Sequence, residues 1–362
     1  MNYLSVEEGI QGLFEQHMTR SKSQSKRIAR LSVGILLAGE VHLTKIARFL
    51  KGDTQQDSRV RWIERLLKSP FLKSEYVYHP MLKEALKGFK DRYWHLVIDR
   101  TTLWDGEIDL TTISLNYRKR AIPLVWRCVP YGGTQLANYV ELLHECVPLI
   151  PREVTVVFHG DTEFGGALMI RALRQLKWDF ILAQFGSSHF RRIGTSTSQA
   201  LSRLPVTKRR SCQLAGIDLF AYKPIGDINI FAFYQKHYTQ CGKLTREMAY
   251  LATSLPLTPG LKRLGRRRWG TEPFYRDYKS SGWKITDSRL KHSSRQESIL
   301  VMLALLYLLS VCFGRWLCKT GQRHWVDARS RRHLRLFRIG WDRFIHLLID
   351  GKPYRPILRL YS

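Results

Sequence analysis

Acidic residues are scarce in this chain of 362 residues. Asp and Glu together number 30 against 59 Lys and Arg, which gives a formal net charge of +29 and a pI near 10.2. So large a surplus of one sign causes self-repulsion in a compact chain unless a polyanion neutralises it. The shortage of acids therefore favours nucleic acid as the partner, with an anionic membrane surface as the second candidate.

Cysteine motifs are absent as well. None of the six cysteines forms a Cys-x-x-Cys pair or lies near a His at the spacing of zinc ligands. This pattern argues against a zinc site and predicts reduced, buried thiols in a cytoplasmic protein. The first sixteen residues, "MNYLSVEEGIQGLFEQ", are acidic and amphipathic, so we expect no secretory signal peptide.

Long hydrophobic runs are almost absent. The exception is "ILVMLALLYLLSVCFG", residues 299–314, which is shorter than the roughly 20 residues that a helix needs to cross a bilayer. We therefore predict a helix buried in the core and no membrane partner. Hydrophobic residues make up 44% of the chain, which excludes global disorder, and the length fits two or three domains.

The first 90 residues show helical periodicity. "LTKIARFLKGDTQQDSRVRWIERLLKS" predicts a helix, a polar turn and a second helix, whose polar side carries Arg59, Arg61 and Arg65. This is the pattern of a helix-turn-helix DNA reader, and also of any small basic helical bundle. We predict that residues 1–90 form a helical DNA-binding region in which these three arginines contact DNA.

After residue 90 the pattern changes to strands. Residues 91–185 predict three strands, a helix, a strand, a helix and a last strand, which together give a mixed sheet covered by helices. Residues 186–250 predict a β-rich insertion. Residues 251–314 predict the second part of the core, and residues 315–362 a basic helical C-terminal region.

Three carboxylates stand out in this arrangement. Asp99 ends the first predicted strand, Asp161 follows the fourth, and Glu272 lies within "RRRWGTEPFYRDYKSSGWK", which predicts one basic helix. If the first and fourth strands are neighbours, both aspartates lie at the edge where α/β folds usually build sites. Three gathered carboxylates need a counterion, and Mg²⁺ prefers hard oxygen ligands shared with a phosphate.

Each carboxylate also has an ordinary interpretation. An Asp after a strand is often only a turn former. Glu272 lies four residues after Arg268, which is the spacing of a weak surface ion pair on a helix. The constellation outweighs its parts, because helical spacing predicts one broad face that carries Arg268, Glu272, Tyr275, Arg276 and Lys279.

The segment "LGRRRWGTEPFYRDYK" resembles the YREK signature of bacterial insertion-sequence transposases with a DDE triad. That signature runs Tyr, two residues, Arg, three residues, Glu, six residues, Lys. Arg268, Glu272 and Lys279 match it in spacing, whereas Gly265 stands at the Tyr position. "IDRT", "GDTEFGG", "LATSLPL" and "RRHLRLFRIGWDRF" also resemble segments of the family, so the likeness covers roughly residues 30–348.

The resemblance implies an α/β fold with an RNase H-like mixed sheet flanked by helices, a β-rich insertion, and helical, basic N- and C-terminal regions. It implies a catalytic, metal-binding triad of Asp99, Asp161 and Glu272 with two Mg²⁺ ions, for which Mn²⁺ would substitute. It also implies DNA contacts by the cations around the triad and by one tyrosine: Arg268, Lys279, Arg276, Tyr275 and Arg100.

The implied activity is cleavage at the ends of a transposon and transfer of the 3′-hydroxyl into target DNA, with a hairpin intermediate. The implied partners are double-stranded DNA, both terminal inverted repeats and target, and a second copy of the chain in the synaptic complex. The implied location is the cytoplasm of a bacterium, with the nucleoid. Two alternatives stay open: an inactive, transposase-derived DNA-binding protein, and another RNase H-like nuclease such as a junction resolvase.

Two further groups of residues invite a role. His159 and His189 are candidate proton-transfer groups, although two-metal chemistry requires none and packing near Asp161 is the simpler interpretation of His159. Hairpin chemistry often needs a flipped base held by stacking. The aromatic residues of the insertion that could stack, and that we expect to pack in the core, are Phe220, Tyr222, Phe231, Phe233, Tyr234 and Tyr238.

Overall fold

The computed structural model of the chain describes residues 5–18, 21–133, 136–221, 223–238, 244–279, 282–288, 290, 293–354 and 356–362. It divides into two compact units. The first consists of Met1–Asp91, Thr102–Ile108 and Tyr275–Ser362, and the second of Arg92–Thr101 and Asp109–Phe274. The five sequence segments proposed above remain a prediction.

The α-helices among the described residues are α1 (Val6–His17), α2 (Lys22–Ala38), α3 (Leu43–Arg48), α4 (Gln56–Leu67), α5 (His79–Leu86), α6 (Leu136–Cys146), α7 (Ala167–Gln175), α8 (Leu261–Gly265), α9 (Thr271–Tyr278), α10 (Ser293–Lys319) and α11 (Leu336–Ile349). The strands are β1 (Tyr93–Leu103), β2 (Ile108–Tyr117), β3 (Arg120–Pro130), β4 (Thr155–Gly160), β5 (Asp179–Gln184), β6 (His189–Arg191), β7 (Ser198–Ala200), β8 (Cys212–Leu219), β9 (Ile225–Tyr238) and β10 (Leu244–Thr253).

The second unit is built on one sheet with the order β3-β2-β1-β4-β5-β10-β9-β8-β6-β7. β1 and β5 both lie parallel to β4, whereas β10 lies antiparallel to β5. Helices α6 and α7 each bury an apolar stripe. The predicted α/β class, a mixed sheet flanked by helices, is confirmed, and the first five strands have the arrangement of an RNase H-like core.

The insertion contributes strands to the same sheet. β8 and β9 are antiparallel neighbours, and β9 pairs with β10 along its length, from Asn229–Thr253 to Tyr238–Leu244. Phe231 and Phe233 of β9 are buried in a cluster with Val157, as expected for core packing. Tyr222 lies outside the described residues, and so does the side chain of Tyr238.

The first unit contains the helix that the apolar run predicts. α10 is long and apolar enough to cross a membrane, but 94% of its apolar window is buried inside the protein. It lies against α11 with backbone close to backbone, since a Cβ at Gly340 would come 1.8 Å from the Ser310 carbonyl oxygen. This close approach needs glycine, and it makes α10 the central helix of its unit.

The predicted helix, polar turn and helix near the N-terminus correspond to α3 and α4. α4 buries Ile63, Leu66 and Leu67 and leaves Arg61 and Arg65 exposed. The Arg59 guanidinium donates to the Gly52 carbonyl oxygen in the turn. Two of the three arginines proposed for DNA contact therefore face solvent, while Arg59 braces the turn between the helices.

Candidate active site

The parallel pairing of β1 and β4 places Asp99 beside Asp161. The last pair of the ladder is Val97–His159, and each aspartate lies two residues further along the chain, Asp99 within β1 and Asp161 directly after β4. Since side chains alternate between the faces of a sheet, both carboxylates emerge on the same face. The predicted adjacency of the first and fourth strands is confirmed. The expected end of the first strand at Asp99 is wrong, because β1 continues to Leu103.

Gly160, the residue before Asp161, allows this close arrangement. A Cβ at this position would lie 2.9 Å from the Phe164 Cβ, 3.0 Å from a Leu182 methyl carbon and 3.1 Å from an Ile98 methyl carbon. A side chain at position 160 would therefore push β4 away from its neighbours. The turn that follows is fixed by Asp161 itself, whose Oδ1 accepts the Thr162 N–H at 2.7 Å.

Asp99 is a largely buried carboxylate with two donors. Thr271 Oγ1 donates to its Oδ2 at 2.5 Å, and the Arg100 N–H donates to its Oδ1 at 2.9 Å. Burial raises the pKa of Asp99; the hydrogen bonds and the Arg268 charge oppose this effect, and the Asp161 charge adds to it. Burial thus disfavours the charged form of Asp99 more than its neighbours favour it, and a bound cation would favour that charged form.

The segment before Glu272 is not the single continuous helix that the sequence predicts. α8 ends at Gly265, residues Arg266–Gly270 form a 3-10 turn, and α9 begins at Thr271. The Asn116 side chain on β2 donates to the Arg267 carbonyl oxygen at 2.5 Å, and a Cβ at Gly270 would come equally close to that amide nitrogen. The contact with β2 pins the segment and tightens it into a 3-10 turn.

This tight turn directs two side chains at the aspartates. Arg268 Nη1 donates to Asp161 Oδ2 at 3.0 Å, and Thr271, the first residue of α9, reaches Asp99. Thr271 Oγ1 also lies 3.2 Å from the Arg268 carbonyl oxygen. The two residues therefore act as one clamp across the pair of aspartates. Sequence reasoning missed Thr271, because a threonine in the first turn of a helix gives no distinctive signal.

Glu272 follows Thr271 directly and is exposed. Arg268 forms its ion pair with Asp161, so the weak helical pair between Arg268 and Glu272 is not what the structure contains. Among the described residues, no three or more Asp, Glu, His and Cys side chains lie close enough together to hold a metal ion. Asp99 and Asp161 thus lie side by side, and Glu272 is next in the chain to Thr271, which contacts Asp99. The Glu272 carboxylate itself is not part of the group.

The pair of aspartates nevertheless fits a magnesium site. Mg²⁺ usually takes one or two carboxylates together with substrate phosphates, rather than a complete cage of protein ligands. Asp99 and Asp161 supply such oxygens on one face of the sheet, and burial raises the pKa of Asp99. The residues present therefore fit a divalent cation of this type.

Gly265 stands where the family signature has Tyr. A Cβ at this position would come 2.8 Å from the Leu251 Cδ1 on β10. An aromatic side chain would need the Leu251 side chain to shift. Gly265, which replaces the Tyr of the signature, thus lies where the end of α8 packs closely against β10.

Arg100 has partners within the chain. Its guanidinium forms ion pairs with Asp109 Oδ1 at 2.9 Å and with Glu163 Oε1 at 2.8 Å, and Tyr139 Oη donates to Glu163. The Asp109 side chain is fully buried, so it requires a charged partner. These contacts bind Arg100 to acidic neighbours rather than leaving it open to DNA.

The remaining predicted residues lie in the first unit, in and after the second half of α9. Tyr275 is 8% exposed, which leaves little surface for DNA, whereas Arg276 is exposed. Lys279 follows α9 and is half-buried, and burial lowers the pKa of its ammonium group. The expected single face is therefore interrupted, since Arg268 belongs to the 3-10 turn and Tyr275 points inward.

His159 cannot serve as an accessible proton-transfer group. It is fully buried, and its Nε2 lies 2.9 Å from His95 Nδ1. Burial lowers the pKa of both imidazoles, that of His95 to about 4. The two rings therefore form a neutral pair beneath the aspartates, as the packing interpretation expects. His189 is exposed on β6.

Residues 132–309, just under half of the chain, match the family model described as "Transposase DDE domain". The matched range contains Asp161, Arg268 and Glu272 and begins after Asp99. The match supports the interpretation of the chain as a DDE transposase, a class whose catalytic domains generally use divalent metal ions.

One similar solved structure is described as a cryo-EM structure of the piggyBac transposase synaptic complex with hairpin DNA. The two sequences are 12% identical, and the alignment covers 96% of this chain and 77% of the piggyBac transposase chain, with a TM-score of 0.38. A likeness at this level carries no weight for the activity of this chain. No curated protein matches the sequence.

Proposed function

We propose that this chain is a DNA transposase of the bacterial insertion-sequence type with a DDE triad of Asp99, Asp161 and Glu272. One observation carries the proposal. Asp99 and Asp161 lie side by side on the sheet, and the residues that contact them, Arg268 and Thr271, immediately precede Glu272. In the proposal, the exposed Glu272 side chain supplies the third carboxylate.

In this proposal, Asp99 and Asp161 hold Mg²⁺, with Glu272 joining them when DNA is bound, and Mn²⁺ substitutes. Metal ions held there would supply activation of the attacking oxygen and stabilisation of the leaving oxygen of a phosphodiester. Thr271 keeps Asp99 in one orientation through its hydroxyl. The burial that raises the pKa of Asp99 also keeps bulk water from this carboxylate.

Arg268 has a separate role. In the protein alone it neutralises Asp161. If a cation neutralised Asp161 instead, the Arg268 guanidinium would become available to a phosphate. A guanidinium can bind a phosphate through two parallel hydrogen bonds. Arg276 and Lys279 would hold the DNA backbone further along, and Arg61 and Arg65 of α4 would grip duplex DNA, with Arg59 supporting the turn.

The finer features of the cycle follow from the same proposal. Two ends of an element must be joined, so we propose a homodimer in the synaptic complex and a hairpin intermediate during excision. The DNA partners are the terminal inverted repeats and the target duplex. We also propose that the protein acts in the bacterial cytoplasm, on the nucleoid.

The first experiment is cleavage of a labelled duplex that carries the end of the DNA element encoding the chain. It compares Mg²⁺ with EDTA, and the wild type with Glu272→Gln, which keeps the size of the side chain and removes its charge. We expect cleavage by the wild type only with metal. The variant should bind the same duplex with unchanged affinity and should not cleave it.

Glu153→Gln is the matched control, because Glu153 is an exposed carboxylate outside the site. It should cleave at the wild-type rate. Normal cleavage by Glu272→Gln would refute the triad. Binding without cleavage by the wild type would favour the inactive, DNA-binding alternative, and cleavage of branched DNA without preference for element ends would favour a junction-resolving nuclease.

A further inference from the structure

A second, strongly basic pocket lies in the same unit as the aspartates. It has a volume of about 560 Å³, and no acidic residue lines it. This volume falls within the range of about 300–1,000 Å³ that is typical of ligand sites. The residues that give it its character are five cations and one aromatic: Arg118, Lys119, Arg263, Arg266, Arg267 and Trp269.

Arg118 and Lys119 hold a conformation that neither residue favours. They form the two-residue turn between β2 and β3, with φ angles of 49° and 64°. Two positive φ values in a two-residue hairpin define a turn that strongly prefers Asn-Gly. A side chain in this left-handed region costs conformational free energy. The two cations therefore occupy the hairpin tip at a cost to the stability of the fold.

The opposite wall is held in place by the fold. Arg266 and Arg267 belong to the 3-10 turn that Asn116 pins to β2, and Arg263 precedes them on α8. All five cations are exposed, and none forms an ion pair within the described parts of the chain. Their charges face each other across the pocket without an acid between them, so an anion is the natural occupant.

The 3-10 turn separates this pocket from the aspartates. Arg266 and Trp269 line the basic pocket, and they also line the neighbouring pocket of about 280 Å³ that contains Asp161 and Arg268. A nucleic-acid strand with one phosphate beside Asp161 can thus place another phosphate in the basic pocket, on the other side of the 3-10 turn.

We propose that the basic pocket binds the sugar–phosphate backbone of a DNA strand next to the phosphate held at the aspartates. Arg118 and Lys119 contact the phosphates from the hairpin tip, and Arg263, Arg266 and Arg267 contact them from the other side. Trp269 forms the wall between the two pockets. This inference rests on the proposed function, because it takes DNA as the substrate of the neighbouring site.

The test exchanges the hairpin tip for the sequence that its conformation prefers. Arg118→Asn combined with Lys119→Gly removes both charges and relieves the backbone, so the thermal midpoint should rise by about 1–4 °C. Duplex binding is measured in EDTA over a series of salt concentrations. The slope of log affinity against log salt should become shallower by about 0.9 for each lost phosphate contact.

A second variant, Arg263→Gln with Arg266→Gln, removes two charges from the opposite wall and should show the same change in salt slope. The control is Lys208→Gln with Arg209→Gln, an exposed Lys and Arg pair outside the pocket. It should leave the slope within error of the wild type.

An unchanged slope in both pocket variants overturns the proposal. An equal loss in the control overturns it too, because the effect would then come from net charge alone. These binding measurements need no metal and no cleavage. Failure of the wild type to cleave DNA would therefore count against the proposed catalysis and leave the result for the pocket intact.

Discussion

Arg268 and Asp161 are 107 residues apart in the chain, yet the guanidinium of one donates to the carboxylate of the other at 3.0 Å. This ion pair occupies an oxygen that a metal ion would need. Under the proposed function, a cation and Arg268 would therefore compete for Asp161, and in the protein alone the arginine neutralises this carboxylate.

Arg268→Ala separates the two roles of this arginine. Without its competitor, Asp161 should bind Mn²⁺ at least as tightly as in the wild type, as measured by calorimetric titration. DNA cleavage should nevertheless fall by about 10²-fold, because a cation that stabilises the reacting phosphate is lost. Arg171→Ala, at an exposed position of α7, should change neither quantity. Weaker Mn²⁺ binding in Arg268→Ala would show that the arginine only supports the site.

Asp99→Asn tests whether the buried charge of Asp99 lowers the stability of the folded protein. The folded-state pKa of Asp99 is raised, so between the ordinary aspartate pKa and the raised value the folded protein binds more protons than the unfolded chain. Stability due to this group is therefore lost as the pH rises through the folded pKa. In EDTA at neutral pH the variant should unfold at a higher temperature than the wild type.

This advantage of Asp99→Asn should disappear in acid, below the ordinary aspartate pKa, where the wild-type carboxyl is also neutral. Thermal unfolding over a range of pH measures both outcomes. Asp53→Asn, at an exposed loop position, serves as the comparison and should have little effect. A lower midpoint for Asp99→Asn at neutral pH would mean that the hydrogen bonds of the carboxylate outweigh its burial.

Thr271→Val removes the hydroxyl that contacts Asp99 and keeps the shape of the side chain. The loss of a hydrogen bond to a partly buried carboxylate should lower the free energy of unfolding by roughly 1–3 kcal/mol. Denaturant unfolding measures this change. Thr271→Ser keeps the hydroxyl and should retain most of the stability and of the DNA cleavage, whereas an equal loss in Thr271→Ser would show that the hydroxyl alone does not account for the effect.

Arg100→Met tests whether Arg100 supports the fold. It removes one ion pair from the buried Asp109 carboxylate, which should destabilise the protein by about 2–4 kcal/mol, at the lower end because Arg100 is itself 30% exposed. Adding Asp109→Asn should recover part of this loss in a double-mutant cycle. A variant that is as stable as the wild type, but binds DNA less tightly, would instead support the DNA contact predicted from the sequence.

Patterns that depend on neighbouring residues were readable from the sequence. The strand and helix periods predicted the two strands at whose ends Asp99 and Asp161 were expected, and the apolar run predicted the buried helix α10. In both cases a short stretch carries its own periodicity, which does not depend on what packs against it.

Features set by distant contacts were not readable. The 3-10 turn before Glu272 depends on Asn116, about 150 residues earlier, and helical spacing alone cannot show that break. The inward position of Tyr275 and the acidic partners of Arg100 also come from tertiary packing. Predictions of exposed DNA contacts were weakest for this reason, because exposure is a property of the folded chain.

The pairing of β5 with β10, and of β10 with β9, has a mechanical consequence. The segment inserted between β5 and α8 belongs to the same hydrogen-bonded ladder as the strands that carry the aspartates. It cannot swing as a hinged lid unless that ladder breaks, and its deletion would leave β5 as a bare sheet edge open to pairing with other chains. The inserted strands are a fixed part of the sheet on which the two aspartates lie, and not a removable accessory.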